Sequence, residues 1–305
     1  MKSGFVVLIG RSNVGKSTLL NTLIGTKIAA TSFRAQMTRH IIHGVMNYAG
    51  STNTGSAHYG DPVGEGQAIF VDTPGVFKDK KNLLSSKLTN KVKDSLQGID
   101  VIVYVVDPTR EIGDEERAVY GMIRHLEIPK IMVMNKSDLP EEERAHRGQY
   151  LEWASDFDSV FSLSALRGSH VEPLREKVIQ LLPEGEPMYI GDQITNVTND
   201  FWVAEIIREK VFSVLDKEVP YSITVEVDSI EESHFGKGKD QTDGMTITAR
   251  ILTDAERYKK IIIGSRGMKI KEIGQMARKE LEQALNKKVF LDLEVSVDPH
   301  WVERV

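Results

Sequence analysis

Gly10-Arg11-Ser12-Asn13-Val14-Gly15-Lys16-Ser17 sets two glycines around four residues and follows them with Lys and Ser. That spacing makes a phosphate cradle, in which backbone N–H groups of a glycine loop converge on an anion. Lys16 then reaches the β- and γ-phosphates, and the Ser17 hydroxyl is placed to ligate Mg²⁺. Arg11, Ser12, Asn13, Val14 and Thr18 line the same path. Asp72-Thr73-Pro74-Gly75 adds a carboxylate that can hold Mg²⁺ through water and a backbone N–H at Gly75 that can sense a γ-phosphate. Alone it is an ordinary turn; behind a phosphate loop it belongs to a site. Asn135-Lys136-Ser137-Asp138 carries a third set. Guanine presents N1–H and N2–H donors on one edge, and the Asp138 carboxylate can accept both, whereas adenine lacks the N1–H donor. Leaving a buried polar pair unmade penalises the wrong base strongly. Lys136 can lie over the base and Asn135 can tie the loops. Ser164-Ala165-Leu166 would add a backbone N–H to the base oxygen, a reading that stands only as the last member of an ordered set. Thr38, in the polar stretch 29–40, can cap Mg²⁺ while a γ-phosphate is present and release it after hydrolysis.

These residues need elements that aim them at one point. Phe5–Ile9 is a short β-branched apolar run that reads as a buried strand. Lys16–Ile24 reads as a helix closed by Gly25. A strand, a glycine loop and a helix N-terminus focus N–H groups and a positive dipole end on an anion. Further strands are predicted at Ala68–Val71, Val101–Val106, Lys130–Met134 and Val160–Leu163, and helices at Leu83–Leu96, Glu115–Leu126, Glu141–Ala154 and Val171–Leu182. Alternation of this kind predicts an α/β domain with a mostly parallel sheet and helices on both faces. In such sheets ligands sit beyond the carboxyl ends of the strands, and each motif above falls at one. The stretch 49–67 is rich in Gly, Ser and Thr and reads as a surface insertion between two strands, with no role assigned.

The 305 residues are 40% hydrophobic and 27% charged, enough for about two domains with cores of their own. No cysteine is present, which excludes disulfides, thiolate zinc sites and thiol catalysis. The first strand follows Met1-Lys2-Ser3 directly and no apolar run is long enough to span a bilayer, so a cytoplasmic protein is expected. A net charge of −5 argues against wholesale nucleic-acid binding. Residues 257–288, however, hold ten Lys and Arg against three Glu, the footprint of a polyanion site inside an acidic protein.

Leu182-Pro183-Glu184-Gly185-Glu186-Pro187 ends the last helix of the alternating pattern. The expected division is a first domain at 1–182, a linker at 183–198 and a second domain at 199–305. In the second domain Phe201–Leu215 has helical spacing, Ser222–Asp228 alternates as a half-buried strand, and Met245–Leu252 is a second strand beyond a charged loop at His234–Gly244. Ile263-Gly264-Ser265-Arg266-Gly267-Met268-Lys269 then sets a G-x-x-G clamp between a short apolar turn and an amphipathic helix. Glycines let a nucleic-acid backbone approach closely, while Arg266, Lys269 and Lys271 can meet phosphates. Ile270, Ile273, Ala277, Leu281 and Leu285 form the packing stripe of that helix, and Val289–Val297 is the last strand. The order helix, strand, strand, helix, helix, strand is that of an α+β type II KH domain.

Gln36-Met37-Thr38-Arg39-His40, Asp72-Thr73-Pro74-Gly75-Val76 and Asn135-Lys136-Ser137-Asp138, in this order behind the phosphate loop, resemble the Era family of GTPases, and the KH-like half extends the resemblance over nearly the whole chain. Met37 and Ser265-Arg266 depart from the family's usual Thr and Lys-Gly. The resemblance implies GTP and GDP as ligands, Mg²⁺ as cofactor, binding near the 3′ end of small-subunit (16S) ribosomal RNA, and a part in assembly of the 30S subunit. It also implies a monomer without DNA binding, with weak peripheral association at the cytoplasmic face of the inner membrane. Related GTPases with Asn at the position of Asn13 use it to hold K⁺, which implies potassium-stimulated hydrolysis. Val76 stands where Ras-type enzymes place a water-orienting Gln, so intrinsic hydrolysis resting on Lys16, Thr38 and Gly75 is expected to be slow. A double-GTPase ribosome factor would need a second phosphate loop, and an RNA-modification GTPase of the known kind a C-terminal Cys; neither is present. A GTP-regulated RNA adaptor with little hydrolysis, or a GTPase acting on another structured RNA, is the alternative.

Overall fold

The computed structural model describes residues 1–29, 42–50, 64–73, 94–189, 193–215, 219–235 and 242–304. It forms two compact units, Met1–Asn196 and Val197–Val305.

In the first unit the apolar runs become strands because both their faces are covered. β1 (Lys2–Ile9), β2 (Ile42–Tyr48), β3 (Gly66–Asp72), β4 (Val101–Val106), β5 (Lys130–Met134) and β6 (Ser159–Ser162) make one sheet in the order β2-β3-β1-β4-β5-β6. All pairings are parallel except β2 against β3. Every residue of β3 and β4 is buried. Helices α1 (Lys16–Ile24), α2 (Asp114–Ile123), α3 (Arg147–Leu151) and α4 (Glu172–Leu181) surround the sheet. Val7, Ile9, Ile102, Tyr104 and Met132 pack with Val119 and Ile123 of α2 and Tyr150 of α3. α1 and α4 pack on β1 and β3 instead. Each buried aliphatic side chain in these layers contributes about 1.5–3 kcal/mol.

Two expectations shift. The helix predicted over Glu141–Ala154 breaks into a 3₁₀ turn at Glu141–Arg144, the five-residue α3 and a second 3₁₀ turn at Ala154–Asp156. His146, at φ −93° and ψ 4°, stands outside helical geometry, and Gly148 weakens the helical turn it sits in. The Pro183–Pro187 segment does leave α4, yet residues 183–189 and 193–196 are anchored on the first unit. Ser3 N donates to Pro183 O at 3.0 Å and Val45 N to Ile194 O at 2.8 Å. Gln67 Oε1 accepts from Met188 N and Tyr189 N at 2.8 and 3.0 Å. The predicted helix Leu83–Leu96 falls mostly outside the described residues, as does most of the 49–67 insertion.

The second unit runs α5 (Asn199–Val214), β7 (Ile223–Phe235), β8 (Thr242–Thr253), α6 (Glu256–Ile263), α7 (Met268–Leu285) and β9 (Lys288–Val297), the type II KH order. β7 pairs antiparallel and β9 parallel with the central β8. α5 packs on α7 and β7, and Ile273, Ala277 and Leu281 of α7 are fully buried. β7 and β8 are longer than expected, so His234, Phe235 and residues 242–244 belong to strands rather than to a loop. A bulge between Val227 and Ser229 resets the phase of β7, which breaks the alternation that a period-two pattern follows. Among the described residues no helix is long and apolar enough to cross a membrane.

Candidate functional site

β1 ends at Ile9 and the phosphate loop leaves the sheet. A Cβ at Gly10 would lie 2.4 Å from Val105 O, and one at Gly15 would lie 2.2 Å from Asn135 Nδ2. Gly15 also sits at φ 99°, where side chains are strained. Asn13 adopts φ 63°, bending the loop midway. Lys16 is buried beneath the loop it serves: its Nζ donates to Gly10 O and Arg11 O, both at 3.1 Å. Burial pulls its pKa below the ordinary lysine value, opposed by the charges of Asp72 and Glu116.

Arg11 joins the loop through its backbone alone. Its guanidinium turns away, with Nε 2.9 Å from Glu116 Oε2 and Nη1 donating to Glu111 O at 3.1 Å. Tyr104 and Tyr150 also donate to the Glu116 carboxylate. Burial pushes the Glu116 carboxyl up, with Tyr104, Arg11 and Tyr150 pulling it down.

β1 and β3 bring the next pair together, since Leu8 faces Asp72 in register. Ser17 Oγ donates to Asp72 Oδ2 at 2.6 Å, and Thr73 Oγ1 donates to Leu8 O at 2.8 Å. A hydroxyl and a carboxylate oxygen at a helix N-terminus are the hard donors that Mg²⁺ takes. Thr38, Pro74, Gly75 and Val76 lie outside the described residues.

The base loops hang from β5 and β6. Asn135 is the tie expected of it, and its two directions are now visible. Its Nδ2 donates to Val14 O at 2.8 Å in the phosphate loop, and its Oδ1 accepts from Ala165 N at 2.9 Å in the other base loop. Ser164 Oγ donates to Asp138 Oδ1 at 2.6 Å, and Arg167 Nε stands 3.8 Å from Asp138 Oδ2. Ser164 and Ala165 are buried, whereas the Leu166 side chain is exposed. Two contributors escaped the sequence reading. Thr22 Oγ1 donates to Ala165 O at 2.7 Å, fastening α1 to the base loop. Asp107, at the carboxyl end of β4, accepts from Lys136 Nζ at 2.5 Å. The available signal for Asp107 was a carboxylate directly after a fully apolar strand, much as Asp72 closes β3.

In the second unit α6 ends at Gly264, whose N–H donates to Lys260 O at 3.0 Å. Gly264 (φ 72°, ψ 176°), Arg266 (φ 52°, ψ 28°) and Gly267 (φ 75°, ψ 15°) all have positive φ and turn the chain into α7. The two glycines are needed for different reasons. A Cβ at Gly264 would meet Lys269 Cγ at 2.8 Å, but one at Gly267 would meet nothing within 4 Å, leaving its outer side open. Ser265, Arg266, Met268 and Lys271 are exposed, and Ile263 and Lys269 are half-buried. The turn therefore offers cations and the first N–H groups of a long helix to an anionic chain.

A phosphate loop on a mostly parallel α/β sheet, followed by a KH fold, defines a GTPase with a nucleic-acid-binding module in the same chain. Residues 5–136 match the family model described as 50S ribosome-binding GTPase, and residues 218–302 match the KH domain. The chain is 39% identical to GTPase Era of Thermoanaerobacter sp. (strain X514), covering 98% of this chain and 92% of the relative. It is 40% identical to GTPase Era of Halothermothrix orenii, covering 99% and 95%. Among solved structures, a point variant of Aquifex aeolicus Era bound to GDP·AlF₄⁻ superposes with a TM-score of 0.84 at 35% identity, covering 100% of this chain and 96% of that one. Era in complex with MgGDPNP and nucleotides 1506–1542 of 16S ribosomal RNA superposes at 0.83 with the same identity and coverage. The chain belongs to the Era family of GTPases.

Proposed function

We propose that this GTPase is a switch that binds the 3′ region of small-subunit ribosomal RNA through its KH unit and assists assembly of the 30S subunit. The observation that carries the nucleotide half is the Asn135 tie, which fixes the distance from phosphate loop to base loop through bonds of 2.8 and 2.9 Å. The RNA half is supported by the basic Gly264–Gly267 turn and by the relative solved with a 16S RNA segment.

In this reading the backbone N–H groups of residues 10–18 cradle the phosphates of GTP. Lys16 exchanges its two carbonyl acceptors for phosphate oxygens, a substitution that costs little because the ammonium is already desolvated. Ser17 and Asp72 would hold Mg²⁺, Asp72 through water, and the metal would neutralise charge on the phosphate oxygens. Asp138 selects guanine, Lys136 covers the ring, and the Ser164–Leu166 turn lies at its oxygen, with the Ala165 N–H shared with Asn135 Oδ1. Thr38 and Gly75 respond to the γ-phosphate, and Val76 leaves the attacking water unplaced, so hydrolysis is slow. Asn13, at the bend of the loop, would hold K⁺ against the phosphates. Faster hydrolysis in potassium than in sodium at matched ionic strength is the expected outcome, and equal rates remove that role.

Ile263–Lys269 and Lys271 grip the RNA backbone. Order around Thr38 and Gly75 biases that grip, so GTP and RNA affinities shift by reciprocal factors. The test is a crosslinking map of bound cellular RNA with and without a GTP analogue: enrichment at the 3′ end of 16S RNA supports the proposal, and crosslinks scattered over unrelated RNAs contradict it.

A further inference from the structure

We propose that Asp107 is a positioning residue for guanine recognition, acting only through Lys136. The inference rests on the reading of Lys136 and Asp138 as the base site. β4 and β5 are adjacent parallel strands with Val106 opposite Met134, so the residues just beyond their ends emerge side by side. Asn135 N donates to Val106 O at 3.0 Å, which extends the pairing by one step. Asp107 is fully buried at that edge.

Its carboxylate is divided between two tasks. Oδ1 accepts from Thr109 N at 3.0 Å and from Thr109 Oγ1 at 2.7 Å, a local turn that fixes the carboxylate plane. Oδ2 is thereby aimed at Lys136, whose Nζ donates to it at 2.5 Å. Pro108 O accepts from His146 N at 3.1 Å, so the turn carrying Asp107 is itself held from behind. Lys136 has two reasons to need such a holder. Its backbone sits at φ 63°, in a region that residues other than glycine rarely adopt. Its side chain is 35% exposed and carries a long flexible stem, which free in solvent would sample many rotamers and cover a base only part of the time. A buried acceptor at the stem's far end removes most of that freedom before the base arrives.

The sign of the effect separates this role from plain electrostatics. Asp107 places a negative charge near the site of an anionic ligand, so on charge alone its removal would tighten nucleotide binding. As a positioner, its removal weakens binding. Asp107→Asn keeps an oxygen for Thr109 and removes the charge that holds Lys136. Immobilising one long side chain is worth about three- to tenfold in affinity, and that loss is expected for both GDP and a non-hydrolysable GTP analogue.

The test is a double-mutant cycle by calorimetry with GDP and Mg²⁺ on the full chain, using Lys136→Met, Asp107→Asn and the double variant. Three results together support the proposal: both single variants bind more weakly, the double variant binds no more weakly than Lys136→Met, and Thr109→Val shows a smaller loss that likewise disappears in the Lys136→Met background. Thr109→Val also serves if Asp107→Asn does not fold. Asp107→Asn binding GDP as tightly as the unaltered chain or more tightly, with Lys136→Met weakened, overturns the inference and leaves the base site standing. Losses that multiply in the double variant overturn it too, because Asp107 then acts independently of Lys136. Unchanged affinity in Lys136→Met overturns the base-site reading itself, and the inference with it.

Discussion

The proposed nucleotide site and the proposed RNA turn would solve the same problem, holding an anion, by opposite means. The first is built from side chains that reach across the sequence. Asn135 joins Val14 to Ala165, Ser17 meets Asp72, and Ser164 orients Asp138. Asn135, Asp72 and Ser164 are buried and Ser17 and Asp138 half-buried, so these groups are fixed before a ligand arrives. The second is built from three positive-φ residues in a row of four, with Arg266 and Lys271 projecting into solvent. Buried, interlocked donors suit a small ligand of one shape. An exposed turn with solvated cations suits a long flexible polymer, whose contacts are many and individually weak.

The contrast can be broken by substitution. Lys16→Ala should have the largest effect: it removes a desolvated cation from the phosphates and should cost about 100-fold or more in GTP affinity, measured by fluorescence titration. RNA binding by the nucleotide-free protein should be unchanged, and a parallel loss of both would dissolve the division of labour. Gly264→Ala should come next. Its φ of 72° with ψ of 176° lies in a region reserved for glycine, and its Cβ would press on Lys269. The cost should be about 1–3 kcal/mol in stability of the KH unit, with weakened RNA binding and normal GDP binding, read by denaturant titration and calorimetry. Arg266→Ala should be the mildest. An exposed phosphate contact should weaken all RNA sequences about equally and lower the salt slope of binding by about one. A change in sequence preference instead would mean that Arg266 reads a base.

The two regions also differ in how far they could be read from the chain. β4 emerged with its full bounds because a strand buried on both faces is apolar at every position, and β5 is apolar beyond its half-buried first residue, Lys130. α1 was bracketed by Gly15 and Gly25, both in left-handed conformations that a helix interior excludes. Where one local rule interrupts another, the reading failed: the Asp228 bulge hid the second half of β7, and His146 with Gly148 split the helix expected over Glu141–Ala154. In the site, residue types and order pointed to phosphate and guanine, but not to which way each side chain faces. Arg11 turns back to Glu116 beneath α2, although its neighbours line the loop. Asp107 is 29 residues from Lys136 in sequence, a pairing set by strand register that no short motif contains. The glycine spacing of the second turn was legible because it resides in four consecutive residues, but the left-handed Arg266 between the glycines was not.

The central claim is that Asp138 chooses the purine. Calorimetry of the purified chain with Mg²⁺ should find GTP bound at least about 100-fold more tightly than ATP, as expected where the Asp138 carboxylate would otherwise lose its donors from the base. Equal affinities, or a preference for ATP, would contradict the account.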